Sequence, residues 1–119
     1  MVDITVCYGF DGWLINIENN IDDSANLIYF VKKLTEALRK IDSDLYKVIW
    51  YDSVINTGEL KWQNELNELN ESFFNVCDGI FVNYTWKDEN LAKCMTYSER
   101  IRDIYIGVDI FGRGVYGKL

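Results

Sequence analysis

Four short apolar segments, separated by helix-forming stretches, set the main constraint on how this chain can fold. They lie at about residues 12–17, 47–52, 78–84 and 104–109, so they recur at intervals of roughly 25 to 35 residues. Short runs rich in Ile, Val and aromatic residues are typical of strands. Strands that alternate with helices form right-handed βαβ units, in which neighbouring strands run parallel. The sequence therefore predicts an α/β fold with a parallel sheet.

Periodic apolar residues predict the helices between these strands. Ser24 is a candidate N-cap for a helix with apolar residues at three- and four-residue spacing, which should end near residues 42–44. A second helix is expected at about residues 62–74, and a third from Asp88, as its cap, to Arg102. Residues 3–8 fit either a short strand or the end of a helix. A turn is expected at residues 56–58 and a glycine-rich loop at 111–117.

Composition and charge exclude several classes of function. The 119 residues fit one domain, and 49% of them are hydrophobic, which is enough for a core. A net charge of -7 without a cluster of Lys and Arg argues against a nucleic-acid partner. The absence of His argues against His-ligated metals and against Ser-His or Cys-His nucleophile pairs. No signal peptide or membrane-spanning run is visible, so no membrane partner is expected.

The three cysteines bear on the cellular compartment. Cys7, Cys77 and Cys94 are an odd number, and no two of them have the CxxC spacing of redox or zinc motifs. They fit buried, reduced thiols better than a disulfide framework, and reduced thiols are the rule in the cytosol. The sequence therefore predicts a cytoplasmic protein.

Polar residues lie at the end of each predicted strand. The first strand ends in Asn16 and Glu18, and the others end in Tyr51 and Asp52, in Asn83 and Tyr84, and in Asp109. Functional residues at the C-terminal ends of parallel strands are typical of (β/α)8 barrels. An open doubly wound sheet has the same habit at its switch point. A full barrel takes about 250 residues, so this chain would supply about half of one.

Asn16 and Glu18, at the end of an apolar strand, are candidate catalytic residues. Side chains two residues apart on a strand point to the same side, and Leu14, Ile15 and Ile17 predict a strand covered on both faces. A Glu near apolar walls can hold a proton and act as a general acid near neutral pH. An Asn can orient an amide, which suits a substrate that carries its own nucleophile, such as the 2-acetamido group of N-acetylglucosamine. The alternative is a Glu that caps the next helix or pairs with Lys.

Five motifs follow one another along nearly the whole chain. They are DGWLINIEN at 11–19, WYDS at 50–53, KWQNELN at 61–67, DGIFVNYTW at 78–86 and GVDIFGRG at 107–114. Together they resemble the cytosolic endo-β-N-acetylglucosaminidases of glycoside hydrolase family 85. The first motif also resembles the DxxDxDxE strand of the chitinase-type family 18 enzymes, with Leu14 and Asn16 where that family has Asp. This departure favours family 85, where the Asn is expected.

The resemblance implies a fold and a reaction. Residues 1–119 would be a partial catalytic domain of the TIM (β/α)8 barrel type, with the fourth to seventh strands of the barrel. The substrate would be an N-linked glycan or glycopeptide, cleaved between the two N-acetylglucosamines of its core. The reaction would retain configuration and pass through an oxazolinium ion formed by the substrate's own acetamido group. No metal and no organic cofactor is implied.

The resemblance also implies roles for individual residues. Glu18 would match the general acid/base, Asn16 the residue that holds the acetamido group, and Tyr51 the hydroxyl that supports it. Trp62 and Trp86 would match the aromatic residues that flank the sugar. Beside the resemblance, four further residues are expected to line the cleft from their positions in the sequence: Asn83, Asp52, Asp109 and Arg113. Six of them have a structural alternative: Tyr51 could be a core tyrosine, Trp62 a helix-face anchor, Trp86 a loop plug, Asp52 and Asp109 helix caps, and Arg113 a solvated loop charge.

Two other functions remain open at this point. One is a truncated, inactive remnant that binds glycan weakly or associates with a partner, and the other is a chitinase-like hydrolase. Half a barrel leaves strand edges and apolar faces uncovered, which favours aggregation. The missing barrel strands or self-association would then be needed for stability.

Overall fold

Four parallel strands form a single sheet in the computed structural model, which describes residues 1–115. The strands are β1 (Gly12–Ile15), β2 (Lys47–Tyr51), β3 (Gly79–Val82) and β4 (Ile104–Ile106). The helices are α1 (Val2–Tyr8), α2 (Ser24–Ile41), α3 (Glu71–Phe74) and α4 (Asp88–Tyr97), and a short 3₁₀ helix covers Ile101–Asp103. The strands lie side by side in chain order, and each neighbouring pair is parallel, which confirms the α/β prediction. The last part of the predicted glycine-rich loop, residues 116–117, lies outside the described residues.

The hydrophobic core lies between the sheet and its helices. Val48 and Trp50 of β2 and Ile80 and Val82 of β3 are fully buried, as the alternation of side chains along a strand requires. The Trp50 ring stacks on Phe73, with the ring centroids 4.0 Å apart. The periodic residues of α2 that complete this core are Val31, Leu34 and Leu38. This packing fixes the strands in register and brings their C-terminal ends to one edge of the sheet.

The opposite face of the sheet is open in the described part of the chain. Leu14 is 53% exposed and Tyr105 is 45% exposed, while Ile49 and Phe81 are partly buried. The prediction that the first strand is covered on both faces is therefore wrong here. Ile15 is buried on the helix side, but Leu14 points to the other face, which no element of residues 1–115 covers.

The first two helices differ in detail from the sequence expectations. Residues 3–8, which were compatible with a strand, belong to α1, which ends at Gly9 in the left-handed conformation (φ 67°). The N-cap of α2 is Asp23, whose carboxylate accepts a hydrogen bond from the Asn26 amide at 2.9 Å. Ser24 is therefore not the cap, and its hydroxyl instead donates to the carbonyl of Asn56 at 2.6 Å. The predicted end of this helix is confirmed at Ile41.

The helix after β3 also begins and ends earlier than expected. Its N-cap is Lys87 and not Asp88, and the Asn90 side chain accepts a hydrogen bond from the Lys87 amide at 2.8 Å. The helix ends at Tyr97, and Arg102 lies in the following 3₁₀ turn. No helix in the part of the chain that the structure covers is both long enough and apolar enough to cross a membrane.

The prediction of a helix at residues 62–74 is wrong for most of its length, because only the four residues of α3 are helical. Asn64 adopts the left-handed conformation (φ 59°), which interrupts a right-handed helix. The Gln63 and Asn64 amides donate to the carboxylate of Asp52 instead of to helix carbonyls. Polar side chains that bind the backbone compete in this way with regular structure. Residues 61–70, hereafter the 61–70 loop, therefore pack along the ends of β2 and β3.

The three cysteines are free, as predicted, but not all are buried. Cys77 and Cys94 lie in the core, whereas Cys7 on α1 is exposed. The Cys94 sulfur accepts a hydrogen bond from the Leu66 amide at 3.3 Å and so holds the 61–70 loop against α4. Burial raises the pKa of the Cys94 thiol, which fits a structural and not a nucleophilic group.

Candidate active site

A cleft of about 560 Å³ opens at the C-terminal ends of the strands. Its position follows from the topology, since the ends of parallel strands meet at one edge of a sheet. Four of the catalytic or substrate-binding candidates predicted from the sequence line it: Glu18, Tyr51, Trp62 and Asn83. The remaining lining residues are Asn64, Tyr84 and Thr85.

Asn16 and Glu18 lie together just after β1. The Asn16 side-chain nitrogen donates to Oε1 of Glu18 at 3.3 Å, so the same-side placement predicted from their two-residue spacing is confirmed. This orientation directs Oδ1 of Asn16 away from the carboxylate, where it can accept an N–H from an amide. Both residues are exposed, so residues 1–115 do not supply the apolar walls expected around Glu18.

Tyr51 is the last residue of β2 and places a neutral phenol in the cleft. Its hydroxyl donates to Oδ1 of Asn83 at 2.9 Å. Burial raises the pKa of Tyr51 to about 12, and the negative charge of Glu18 adds to the shift. The phenol therefore keeps its proton at neutral pH and acts through hydrogen bonds. Its ring also packs beside Phe81, with the ring centroids 6.0 Å apart.

Asp52 follows Tyr51 but does not line the cleft, because its side chain is fully buried. Its carboxylate accepts hydrogen bonds from the Gln63 amide at 3.1 Å and the Asn64 amide at 2.7 Å. It also accepts from the Asn70 side chain at 3.0 Å and the Asn83 amide at 3.4 Å. Burial raises the pKa of this carboxyl, and these hydrogen bonds oppose the shift. The structure thus places Asp52 behind the cleft, where it holds the 61–70 loop to the strand ends.

Asn64 is a cleft residue that the sequence analysis missed. Its Oδ1 accepts hydrogen bonds from the Thr85 amide at 3.1 Å, the Thr85 hydroxyl at 2.6 Å and the Asn83 side-chain nitrogen at 2.9 Å. Asn tolerates the left-handed conformation better than most residues, so an Asn among helix-forming residues was the one available signal. The helical spacing of Leu66, Leu69 and Phe73 concealed it.

The two predicted sugar-flanking tryptophans have different surroundings. Trp62 is 42% exposed and lines the cleft from the 61–70 loop, so it is not the anchor of a helix face. Trp86 is partly buried, and its indole N–H donates to the carbonyl of Gly107 at 2.7 Å. It therefore connects the segment after β3 to the end of β4, outside the residues that line the cleft.

Asp109 and Arg113 lie beyond β4 and do not line the cleft either. The Asp109 side chain accepts a hydrogen bond from the Phe111 amide at 3.0 Å and so closes a turn, while Arg113 is exposed. Residues 1–115 contain no group of three or more Cys, Asp or Glu side chains arranged to hold a metal ion.

Comparison with known proteins finds the same family along the whole chain. The glycosyl hydrolase family 85 profile matches residues 1–119. The cytosolic endo-beta-N-acetylglucosaminidase 1 of Arabidopsis thaliana is 49% identical over 98% of this chain and 18% of the relative's length. The cytosolic endo-beta-N-acetylglucosaminidase of Homo sapiens is 48% identical over 96% of this chain and 16% of its own length. The chain thus spans less than a fifth of these relatives.

A solved structure shares the fold. The glycoside hydrolase domain of Endo-D from Streptococcus pneumoniae R6 superposes with a TM-score of 0.78 at 23% sequence identity. The superposition covers 92% of this chain and 19% of that one. The parallel sheet with its helices is therefore similar to one part of that domain.

Proposed function

The chain belongs to glycosyl hydrolase family 85, and we propose that it supplies catalytic residues of an endo-β-N-acetylglucosaminidase. The proposed substrate is an N-linked glycan or glycopeptide, cleaved at the GlcNAc-β-1,4-GlcNAc bond of its core. The relatives are named as cytosolic enzymes, which supports a cytoplasmic location. The observation that carries the proposal is the hydrogen-bonded pair Asn16 and Glu18 beside a cleft that also holds a neutral Tyr51.

In the first proposed step the substrate's acetamido group is the nucleophile. Asn16 Oδ1 accepts the acetamido N–H, which orients the group and increases electron density on its carbonyl oxygen. This oxygen forms a bond to the anomeric carbon while the glycosidic bond breaks, and Glu18 gives its proton to the leaving oxygen. The product of this step is an oxazolinium ion with its positive charge spread over the acetamido atoms. A single enzymatic carboxyl suffices because the substrate replaces the second one.

In the second proposed step Glu18 works in the opposite direction. Its carboxylate takes a proton from a water molecule, whose oxygen attacks the anomeric carbon. The bond between that carbon and the acetamido oxygen breaks, and the acetamido group is restored. Two displacements at one carbon leave its configuration unchanged, so the proposed reaction is retaining.

The open face of the sheet supports the assignment to a barrel. The interior of a (β/α)8 barrel is filled by side chains from all its strands, and Leu14 and Tyr105 lie on the face that would point inward. We assign β1 to β4 to the fourth to seventh barrel strands. Further strands of the same protein, or a second copy of the chain, would cover this face and supply apolar walls around Glu18.

The test uses a complete enzyme that carries these residues. In the human relative, the stretch matched by this chain is replaced by residues 1–119, giving what we call the exchanged enzyme. We expect it to release glycan from a high-mannose glycopeptide, and Glu18→Gln to abolish release. Glu89→Gln, at an exposed position on α4, is the matched control and should leave release unchanged. A folded exchanged enzyme without activity, or an active Glu18→Gln variant, would contradict the proposal.

Two further assays separate the alternatives. Chitin oligomers in place of the glycopeptide test the chitinase-like function, which predicts cleavage of the oligomers and not of the glycopeptide. The 119-residue chain alone tests the inactive remnant, since a folded chain that releases no glycan needs other parts of the protein. Release by the isolated chain that is lost in Glu18→Gln would mean that this unit forms a working site.

A further inference from the structure

A chain of hydrogen bonds connects the 61–70 loop to the Tyr51 hydroxyl. Asn64 Oδ1 lies 2.9 Å from the side-chain nitrogen of Asn83, and Asn83 Oδ1 lies 2.9 Å from the Tyr51 oxygen. Asn64, Asn83 and Tyr51 all line the cleft. The chain of bonds therefore ends at the phenol that the proposed reaction uses, and it begins at a residue with no assigned role.

The direction of every bond in this chain follows from one backbone amide. The Thr85 N–H can only donate, so the Asn64 atom 3.1 Å from it is the oxygen. An oxygen there requires a donor on the facing atom of Asn83, which is then its nitrogen. The other amide atom of Asn83 is consequently its oxygen, and that atom faces Tyr51. The phenol proton is thus directed to Asn83. The Tyr51 oxygen also has a hydrogen bond with the Trp62 side chain, which can only donate, so one lone pair remains for the cleft.

Asp52 keeps the two asparagines in place. Its buried carboxylate binds the Asn64 amide at 2.7 Å and the Asn83 amide at 3.4 Å, so both backbones are tied to one anchor. Asn64 itself is held in the left-handed conformation, at φ 59°. A residue kept in an uncommon backbone conformation at the wall of a cleft is a recurrent feature of functional sites.

We propose that Asn64 is a positioning residue. It fixes the side-chain amide of Asn83, so that the Tyr51 hydroxyl donates away from the substrate and presents its remaining lone pair to the acetamido group. This inference rests on the proposed function, because positive charge develops on that group as the oxazolinium ion forms. Lone pairs oriented before the reaction stabilise such charge more in the transition state than in the ground state. Asn64 therefore contributes to kcat more than to KM.

Two substitutions separate the oxygen of Asn64 from its backbone conformation. Asn64→Gly keeps the left-handed conformation, which Gly adopts readily, and removes the oxygen. Asn64→Asp keeps an acceptor oxygen for Asn83 and Thr85. In the exchanged enzyme we expect Asn64→Gly to lower kcat by about 10- to 100-fold. This is less than the roughly 100- to 1000-fold loss for a preorganised group that contacts the reacting atoms, because Asn64 acts through Asn83 and Tyr51. KM should change by less than about threefold, and Asn64→Asp should retain most of the activity.

A double-mutant cycle with Tyr51→Phe tests whether Asn64 acts through Tyr51. In the Tyr51→Phe background, Asn64→Gly should lower the remaining kcat by less than about threefold, because the group it positions is gone. Equal losses in both backgrounds, no loss in Asn64→Gly, or a loss in Asn64→Asp as large as in Asn64→Gly would overturn the inference. All these variants are compared with the exchanged enzyme that carries no further substitution. If that enzyme is inactive, the proposed function fails, and this result is obtained before any variant of Asn64 is measured.

Discussion

Replacement of Asp52 by Asn should release the 61–70 loop from the strand ends. The two residues have the same shape, but Asn offers one acceptor oxygen and one donor nitrogen where Asp52 offers two acceptors. Asp52 receives hydrogen bonds from the Gln63 and Asn64 amides and from the Asn70 side chain. Whichever way the new side-chain amide turns, at least one of these buried donors faces another donor. Loss of one or two charge-assisted hydrogen bonds, partly offset by removal of a buried charge, costs about 2 to 4 kcal/mol.

This cost should appear as faster amide hydrogen exchange in the 61–70 loop. A loss of about 2 kcal/mol corresponds to roughly 30-fold more frequent opening, since each 1.4 kcal/mol is a factor of about ten. Exchange of peptides that cover the loop, measured by mass spectrometry on the exchanged enzyme, gives this ratio directly. Asp22→Asn, at an exposed position, is the matched control and should not alter exchange.

The reasoning about Asp52 can be refuted by the same measurement. Exchange in the loop that is unchanged in Asp52→Asn would show that its hydrogen bonds contribute little to holding residues 61–70. Faster exchange spread evenly over α2 and β1 would indicate global destabilisation and not release of the loop. The expected result is a change confined to the loop and to the segment after β3, where the Asn83 amide also binds Asp52.

Three further perturbations have defined outcomes. Burial acts to raise the pKa of Glu65, but hydrogen bonds from Asn90, Asn67 and Lys93 outweigh burial, so the pKa is lowered. The ionised Glu65 therefore stabilises the fold at pH values above the ordinary Glu pKa, and this stabilisation is lost as the pH falls through the lowered pKa. Glu65→Gln should therefore reduce the unfolding free energy at neutral pH and leave it unchanged in strong acid, which urea titrations at several pH values would measure. A difference in unfolding free energy between the two proteins that is the same at every pH would contradict this. Asn16→Ala in the exchanged enzyme should abolish hydrolysis of glycopeptide yet still use a preformed sugar oxazoline, as followed by product formation, whereas normal hydrolysis would refute substrate assistance. Gly12→Ala should destabilise the fold by at least about 2 kcal/mol, as measured by thermal unfolding. The reason is that Gly12 has φ 152° and that a Cβ at this position collides with the Lys47 carbonyl. An unchanged melting temperature would show that the strand can shift to accommodate the methyl group.

The parts of the fold that depend on local pattern were accessible from the sequence. The strands were predicted because apolar runs of the right length alternate with helical periodicity, and the pair Asn16 and Glu18 because a strand repeats every two residues. The extent of α2 followed in the same way, although its cap is one residue earlier. These features need only information that lies within a few residues of the element itself.

The 61–70 loop needed information from outside its own sequence. Leu66, Leu69 and Phe73 have helical spacing, and Asn64 is the single nearby residue that favours an irregular segment. What prevents the helix is Asp52, which lies on a neighbouring strand end and takes the amides of Gln63 and Asn64. A long-range partner of this kind overrides local propensity, and it also explains why Asn64 was missed and why Asp52 was assigned to the surface of the cleft.

The order of the strands has a consequence for how the protein is made. Because β1 to β4 lie side by side in chain order, each new strand pairs with the one synthesised just before it. Every pairing therefore closes a single crossover and requires no strand that has yet to be translated. A nascent chain emerging from the ribosome can add these units one at a time, with the most recent strand serving as the template for the next. Within these four strands growth is directional, and each added strand becomes the edge to which the next one pairs.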